Sequence, residues 1–94
     1  MFDKDNRANL PERMAKHGHI LIVENEAVSA AMIEHQLLKY GYGVAGVAAD
    51  GPGAIALTEK CRPDLVLMDI GLDGEMDGVE AANIIRSRFE IPII

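Results

Sequence analysis

The sequence predicts an α/β fold in which a parallel β-sheet is covered by helices on both faces. Short apolar runs, the pattern of strands buried on both sides, alternate with longer stretches whose apolar residues recur at helical spacing. Glycine and proline stand at most of the boundaries, where turns are expected. Because strands and helices alternate and the connections are short, successive strands should be parallel and joined by helical crossovers.

Composition and charge indicate one globular domain and argue against several classes of function. The chain has 94 residues, of which 49% are hydrophobic and 26% charged. A formal net charge of -6 argues against direct nucleic-acid binding, which needs clustered basic residues. The single cysteine, Cys61, cannot form an internal disulfide. There is no apolar stretch of the roughly 18 residues that a membrane span needs, and no signal-peptide pattern, so a cytoplasmic location without membrane contact is expected.

The first eighteen residues differ in character from the remainder. Residues 1–18 are polar, of mixed charge, and interrupted by Pro11 and Gly18. They are interpreted as an N-terminal extension, and the domain is predicted to span residues 19–94.

The first strand and helix of that domain follow directly. The apolar run at 20–23 predicts a central parallel strand. A helix is predicted over 27–40 and ends before Gly41. Its buried face is predicted to contain Val28, Ala31, Met32 and Leu38.

A second strand and helix are predicted next. A short run rich in alanine and β-branched residues at 44–48 indicates the strand, and a helix is predicted over 53–61 after the Asp-Gly-Pro sequence at 50–52. Pro63 disfavours the helical conformation in the residue before it, so the helix should end there. Its apolar surface is predicted to come from Ala54, Ile55, Ala56 and Leu57.

A third strand and helix complete the alternation. The strand is predicted at 65–68 and the helix at 79–89, with a glycine-containing loop between them. The run at 91–94 is interpreted as the start of a fourth strand. The apolar face of the third helix is predicted from Val79, Ala82, Ile85 and Phe89.

Acidic residues follow two of the predicted strands. Glu24 and Glu26 come after the first strand, with Asn25 between them, and Asp69 comes after the third. Ligands of open parallel sheets bind outside the carboxyl ends of the strands, at the switch point between crossovers. Oxygen ligands there suit Mg²⁺, which keeps several waters and binds a phosphate oxygen. The pattern therefore predicts phosphoryl transfer to the Asp69 carboxylate, whereas the simpler alternative is that these acids stabilise helix N-termini.

Three ordered motifs resemble the receiver domain of two-component response regulators. The resemblance covers residues 19–94 and implies a flavodoxin-like, doubly wound parallel sheet of the form β-α-β-α-β-α-β, with strand order 2-1-3-4. The motifs are ILIVENE at 20–26, PDLVLMD at 63–69 and MDGVEAA at 76–82.

The resemblance also implies a function and a site. It implies a phosphorelay module, not an enzyme, in which Asp69 is the phosphoacceptor for a histidine kinase or a histidine phosphotransfer protein. It further implies Mg²⁺ as cofactor, held by Glu24, Asn25, Asp69 and the backbone carbonyl of Gly71.

The sequence departs from the family pattern in two respects. Asn25 stands where the family usually has an aspartate, which should weaken Mg²⁺ binding. The family's switch hydroxyl after the fourth strand and its lysine after the fifth have no counterpart, so a receiver lacking its last strand and last two helices is expected. The apolar edge at 91–94 then predicts a homo-oligomer or a strand swap.

Two other functions fit parts of the pattern. A receiver-like docking module that takes no phosphate would explain Asn25. A calcium-binding loop at 69–80 would use several of its acids, but its third position is Gly71, which has no side-chain ligand, and no helix is predicted before it.

Overall fold

The computed structural model describes residues 17–69 and 76–94. Within them, three parallel strands alternate with three helices, and the strands lie in the order β2-β1-β3. Every boundary lies within two residues of its predicted position. No helix in this described part is long and apolar enough to cross a membrane. The elements are β1 (His19–Val23), α1 (Ala27–Lys39), β2 (Gly43–Ala48), α2 (Gly51–Cys61), β3 (Leu65–Met68) and α3 (Gly78–Phe89).

The central strand β1 is buried on both faces, as the continuous apolar run predicts. Leu21 and Val23 join the main core with side chains from α2 and α3. Ile20 and Ile22 are also buried, and the alternation of side chains places them on the opposite face, which α1 covers. The sheet therefore has α2 and α3 on one face and α1 on the other.

The buried face of α1 differs from the predicted one. Val28 and Met32 are 74% and 64% exposed, and Ala31 and Leu38 are exposed as well, so their predicted burial is wrong. Apolar residues surround most of this helix, and the sequence pattern therefore defines no single stripe. The sheet is covered instead by a smaller face, on which Ala30 is buried and Ile33 and Leu37 are half-buried.

The helices α2 and α3 have well-defined ends. Asp50 accepts a hydrogen bond from the Gly53 N–H at 2.7 Å, and Asp77 accepts one from the Glu80 N–H at 2.8 Å. Each helix is followed by a non-glycine residue in the left-handed conformation, Arg62 at φ 47° and Glu90 at φ 56°. The helix α2 begins two residues and α3 one residue before its predicted start, and both helices end at the predicted residue.

Burial along α2 and α3 agrees with the prediction only in part. Ala56 and Val79 are exposed, against prediction, because each lies on the solvent side of its helix. Thr58 is fully buried and was not predicted, and its hydroxyl donates to the Ala54 carbonyl at 2.7 Å. A threonine can enter the core in this way because a backbone acceptor in its own helix satisfies its hydroxyl.

The two edges of the sheet, at β2 and at β3, differ in their strand pairing. On one side, the register between β1 and β2 shifts after Ile20, which pairs with Val44 while Leu21 pairs with Gly46. Ala45 is thus an extra residue, a β-bulge in the edge strand. On the other side, Ile93 forms a parallel bridge with Val66, the position expected for a fourth strand beside β3. Self-association through residues 91–94 remains a prediction.

The start of β1 contains a glycine that the fold requires. The His19 N–H donates to Asp64 Oδ2 at 2.8 Å, and the Asp64 N–H donates to the His19 carbonyl at 2.9 Å. Gly18 precedes this pair with φ +108°, and a Cβ added there would lie 2.8 Å from Asp64 Oδ2.

Replacing Gly18 with alanine should therefore destabilise the domain by more than about 1 kcal/mol, since the new side chain meets both strain and a clash. Urea unfolding followed by circular dichroism measures this change. The matched control is Gly46→Ala, whose Cβ would be in ordinary van der Waals contact at 3.5 Å. Equal free energies of unfolding for the two variants would contradict this assignment.

Candidate functional site

Backbone hydrogen bonds bring Glu24 and Asp69 to neighbouring positions. The Glu24 N–H donates to the Ala48 carbonyl of β2 at 2.9 Å, and the Asp69 N–H donates to the Val23 carbonyl of β1 at 3.0 Å. Val23 pairs with Met68, so the next residue of each strand stands side by side across a strand spacing of about 4.8 Å. The predicted convergence of these two strand ends is confirmed.

This edge of the sheet is also the topological switch point. The crossover through α1 joins β1 to β2 on one face, whereas the crossover through α2 joins β2 to β3 on the other face. The helices that follow β1 and β3 therefore lie on opposite faces of the sheet, and a crevice is expected between the carboxyl ends of these two strands. Glu24 and Asp69 lie at that crevice.

The acidic side chains do more than stabilise helix ends. Glu26 is the N-cap residue of α1, yet its side chain makes no capping hydrogen bond. Glu24 Oε1 instead accepts the Glu26 N–H at 3.1 Å, which fixes one of its carboxylate oxygens near the helix start. Glu24 and Asp69 are half-buried, while Asn25 is exposed. Helix capping thus accounts for one carboxylate oxygen of Glu24, whereas the Glu26 side chain makes no capping hydrogen bond.

The donor atoms at this edge suit a small, hard cation. Two carboxylates and one amide oxygen are all oxygen ligands, and Mg²⁺ is commonly held by only one or two protein carboxylates with waters filling its shell. Over residues 17–69 and 76–94, no three His, Cys, Asp or Glu side chains form a metal-binding group. Gly71, the predicted carbonyl ligand, lies outside the described residues.

Asp50 is a further acid at this edge, and the sequence prediction did not include it among the site residues. It follows β2, but its carboxylate caps the N-terminus of α2. The signal for this role is local, since the Gly-Pro pair that follows Asp50 is typical of a helix start. The Asp50 carboxylate is therefore assigned to capping α2 and not to the candidate site.

The calcium-loop alternative fails on its structural context. An EF-hand loop follows a helix, whereas Asp69 follows strand β3. Residues 70–75 of that proposed loop lie outside the described residues. The segment after them begins with Met76, whose side chain would lie 2.9 Å from a Cβ added at Gly51.

Comparisons with known proteins agree with this arrangement of elements. Residues 20–94 match the family model described as the response regulator receiver domain. The transcription factor SKN7 of Saccharomyces cerevisiae is 44% identical over 90 residues, which are 95% of this chain and 14% of that protein. The transcriptional regulatory protein PdtaR of Mycobacterium tuberculosis is 39% identical over 75 residues, which are 80% of this chain and 36% of that protein. The chain thus spans well under half the length of these relatives.

Solved structures show the same architecture. The signal receiver domain of a modulated diguanylate cyclase from Desulfovibrio desulfuricans superposes with a TM-score of 0.77 and 41% identity, over 81% of this chain and 61% of that one. The anti-anti-sigma factor PhyR from Bartonella quintana, crystallised with the anti-sigma factor NepR, gives a TM-score of 0.75 and 27% identity, over 94% of this chain and 35% of that one.

Proposed function

The chain belongs to the response regulator receiver domain family, and from this premise we propose that it accepts a phosphoryl group on Asp69 with Mg²⁺ held beside it. Its fold is the flavodoxin-like receiver fold, as the resemblance implied. Receiver domains are phosphoacceptor modules of two-component signalling and are not enzymes in themselves. The observation that carries the proposal is the meeting of Asp69 and Glu24 at the switch point of the sheet.

The proposed reaction is an in-line transfer to a carboxylate oxygen. One Asp69 oxygen forms the new P–O bond while the bond from phosphorus to the donor's leaving group breaks, so the product is an acyl phosphate. The backbone of β3 and the hydrogen bond to Val23 hold Asp69 at the crevice. Mg²⁺, when bound, would neutralise the negative charge that the phosphoryl oxygens bring to the carboxylates.

The residues proposed to hold that ion are Glu24, Asn25 and Asp69, together with the carbonyl of Gly71. Glu24 and Asp69 supply charge, and Asn25 supplies an uncharged oxygen. Receiver domains interact with histidine kinases or phosphotransfer proteins. We propose a phosphohistidine of such a partner as the natural donor, since breaking its P–N bond releases a neutral imidazole after protonation.

A small phosphodonor tests the proposal without the natural partner. Acetyl phosphate with Mg²⁺ should add one phosphoryl group to the intact protein, detected by mass spectrometry and removed by hydroxylamine, which cleaves acyl phosphates. Chelation of the metal should prevent the addition. A protein that gains no phosphoryl group under these conditions would favour the docking-module function, for which Asn25 is the supporting observation.

The uncharged ligand at position 25 gives a second test. Asn25→Asp adds a carboxylate to the proposed metal site and should tighten Mg²⁺ binding by about tenfold, the effect expected of roughly 1.4 kcal/mol of added attraction. Isothermal titration calorimetry measures the dissociation constant directly. Asn25 is exposed, so the change should leave the fold intact.

The matched control for that titration is Asn83→Asp, an equal change of charge at an exposed position on α3. It should leave the Mg²⁺ affinity close to that of the wild type. If both aspartate variants tighten binding equally, the effect is one of net charge, and Asn25 is not a ligand.

A further inference from the structure

One face of α1 is apolar, open to solvent and directed away from the sheet. Val28 and Met32 are the most exposed large apolar side chains of this helix. At about 3.6 residues per turn, each lies about 160° around the helix from Ala30, which is buried on the side of the sheet. Further elements packed on the sheet beside α1 would therefore leave this face open. Contiguous exposed apolar surface of this kind marks a place where another molecule binds.

The exposed face contains a shallow groove with a volume of about 480 Å³. All the residues that line it belong to α1 and are exposed: Ala27, Val28, Ala31, Met32, His35 and Gln36. The thirteen residues of α1 span about 20 Å. A groove that runs along a helix of this length suits a second helix lying beside it.

The side chains of this groove are complementary to those of a second copy in the antiparallel direction. A two-fold axis that passes between residues 31 and 32 places the residues of the two copies opposite each other in three kinds of pair. These pairs are Ala27 with Gln36, Val28 with His35, and Ala31 with Met32. Each pair joins a smaller side chain to a longer one, so the longer side chains of one helix fill the space beside the smaller ones of the other.

The charges at the two ends of α1 favour the same antiparallel arrangement. Glu24 and Glu26 precede the helix, and Lys39 lies in its last turn. Lys39 is exposed and lies about 180° around the helix from Ala30, on the same face as the groove. In an antiparallel pair, Lys39 of each copy lies opposite the acidic residues that precede α1 in the other, so the attraction occurs twice. A parallel pair would bring like charges together.

We propose that two copies of this domain associate in antiparallel fashion through the exposed faces of α1. Both copies use the same surface, so the contact closes as a dimer. It is distinct from the predicted pairing through residues 91–94, and it brings Lys39 of one copy toward Glu24, a proposed Mg²⁺ ligand of the other. One helix from each copy makes a small interface, so a weak dimer with a dissociation constant on the order of 100 µM is expected.

Sedimentation equilibrium of the full chain, over concentrations that span this value, measures the association. The contact does not depend on phosphoryl transfer, so the untreated protein is used. Ala31→Glu places a charge beside the two-fold axis, close to the same charge of the second copy, and should raise the dissociation constant at least about tenfold. The matched control is Ala56→Glu, the same change at an exposed alanine in the middle of α2, and it should leave the dissociation constant nearly unchanged.

An exchange of charges tests the antiparallel direction independently. Lys39→Glu should raise the dissociation constant about fivefold, and adding Glu26→Lys to the same chain should restore the wild-type value. The control is Lys60→Glu, the same change in the last turn of α2, which should have little effect. All of these positions are exposed, so the variants should fold, and circular dichroism verifies this.

Three results would overturn the proposal. A wild-type chain that stays monomeric over the whole concentration range would mean that a different molecule covers this face. A dimer that Ala31→Glu does not weaken would mean that the copies associate through another surface, such as the edge at 91–94. A Lys39 variant that Glu26→Lys does not restore would exclude the antiparallel pairing.

Discussion

Replacing Asp69 with asparagine should abolish phosphoryl incorporation from acetyl phosphate. The amide nitrogen and oxygen of asparagine are poor nucleophiles compared with a carboxylate oxygen, and the charge that helps to hold Mg²⁺ is lost as well. Intact-mass spectrometry of wild type and variant, treated side by side, measures the result. The expected signal of the variant is that of the untreated protein.

The matched control for this experiment is Asp50→Asn. It makes the same chemical change at the same edge of the sheet, but at a residue whose carboxylate caps α2. Asparagine caps helices about as well as aspartate does, so this variant should fold and accept the phosphoryl group normally. Full labelling of the Asp69 variant would mean that the phosphoacceptor has been assigned to the wrong residue. Loss of labelling in both variants would mean that the loss is not specific to Asp69, and it would remove the support for this assignment.

Replacing Leu21 with alanine should reduce the free energy of unfolding by about 2–5 kcal/mol, the cost of a cavity in a close-packed core. Leu21 lies in the middle of the central strand, is fully buried, and joins the core formed with α2 and α3. A loss of this size is a large part of the stability of a small domain. Chemical unfolding monitored by circular dichroism provides the measurement.

The control for the Leu21 variant is Val28→Ala. Both residues are aliphatic, but Leu21 is buried and Val28 is exposed. Val28 lies on the exposed face of α1, and its truncation should cost no more than about 0.5 kcal/mol. A Leu21 variant as stable as the Val28 variant would contradict the assignment of the core.

The sequence predicted the elements well because their signals are local. Apolar runs, glycines, and the prolines at 52 and 63 act within a few residues, and the observed limits follow them. The buried face of α1 could not be predicted in the same way, because its apolar residues lie all around the helix. Only the sheet selects Ala30 and leaves Met32 exposed.

The position of the candidate site could be predicted from the sequence, but the orientation of its side chains could not. The meeting of Glu24 and Asp69 follows from the rule that parallel strands end at one edge, and the structure confirms it. The orientation of the carboxylates was not predictable, since Glu24 turns to accept the Glu26 N–H and Asp50 turns to cap α2. Such choices depend on rotamers and neighbouring backbone, and residue spacing carries no information about them.

The bulge at Ala45 makes the two edges of the sheet unequal for the addition of further strands. An edge strand with an extra residue twists away from a flat partner, so another strand cannot readily pair along β2. At the opposite edge, the Val66 and Met68 N–H groups of β3 donate to the Pro92 and Ile94 carbonyls, and the Ile94 N–H donates to the Val66 carbonyl, in parallel fashion. Any further strand, from this chain or from another molecule, should therefore be added on the β3 side. Assemblies of this domain that grow through its sheet would be extended from one side only.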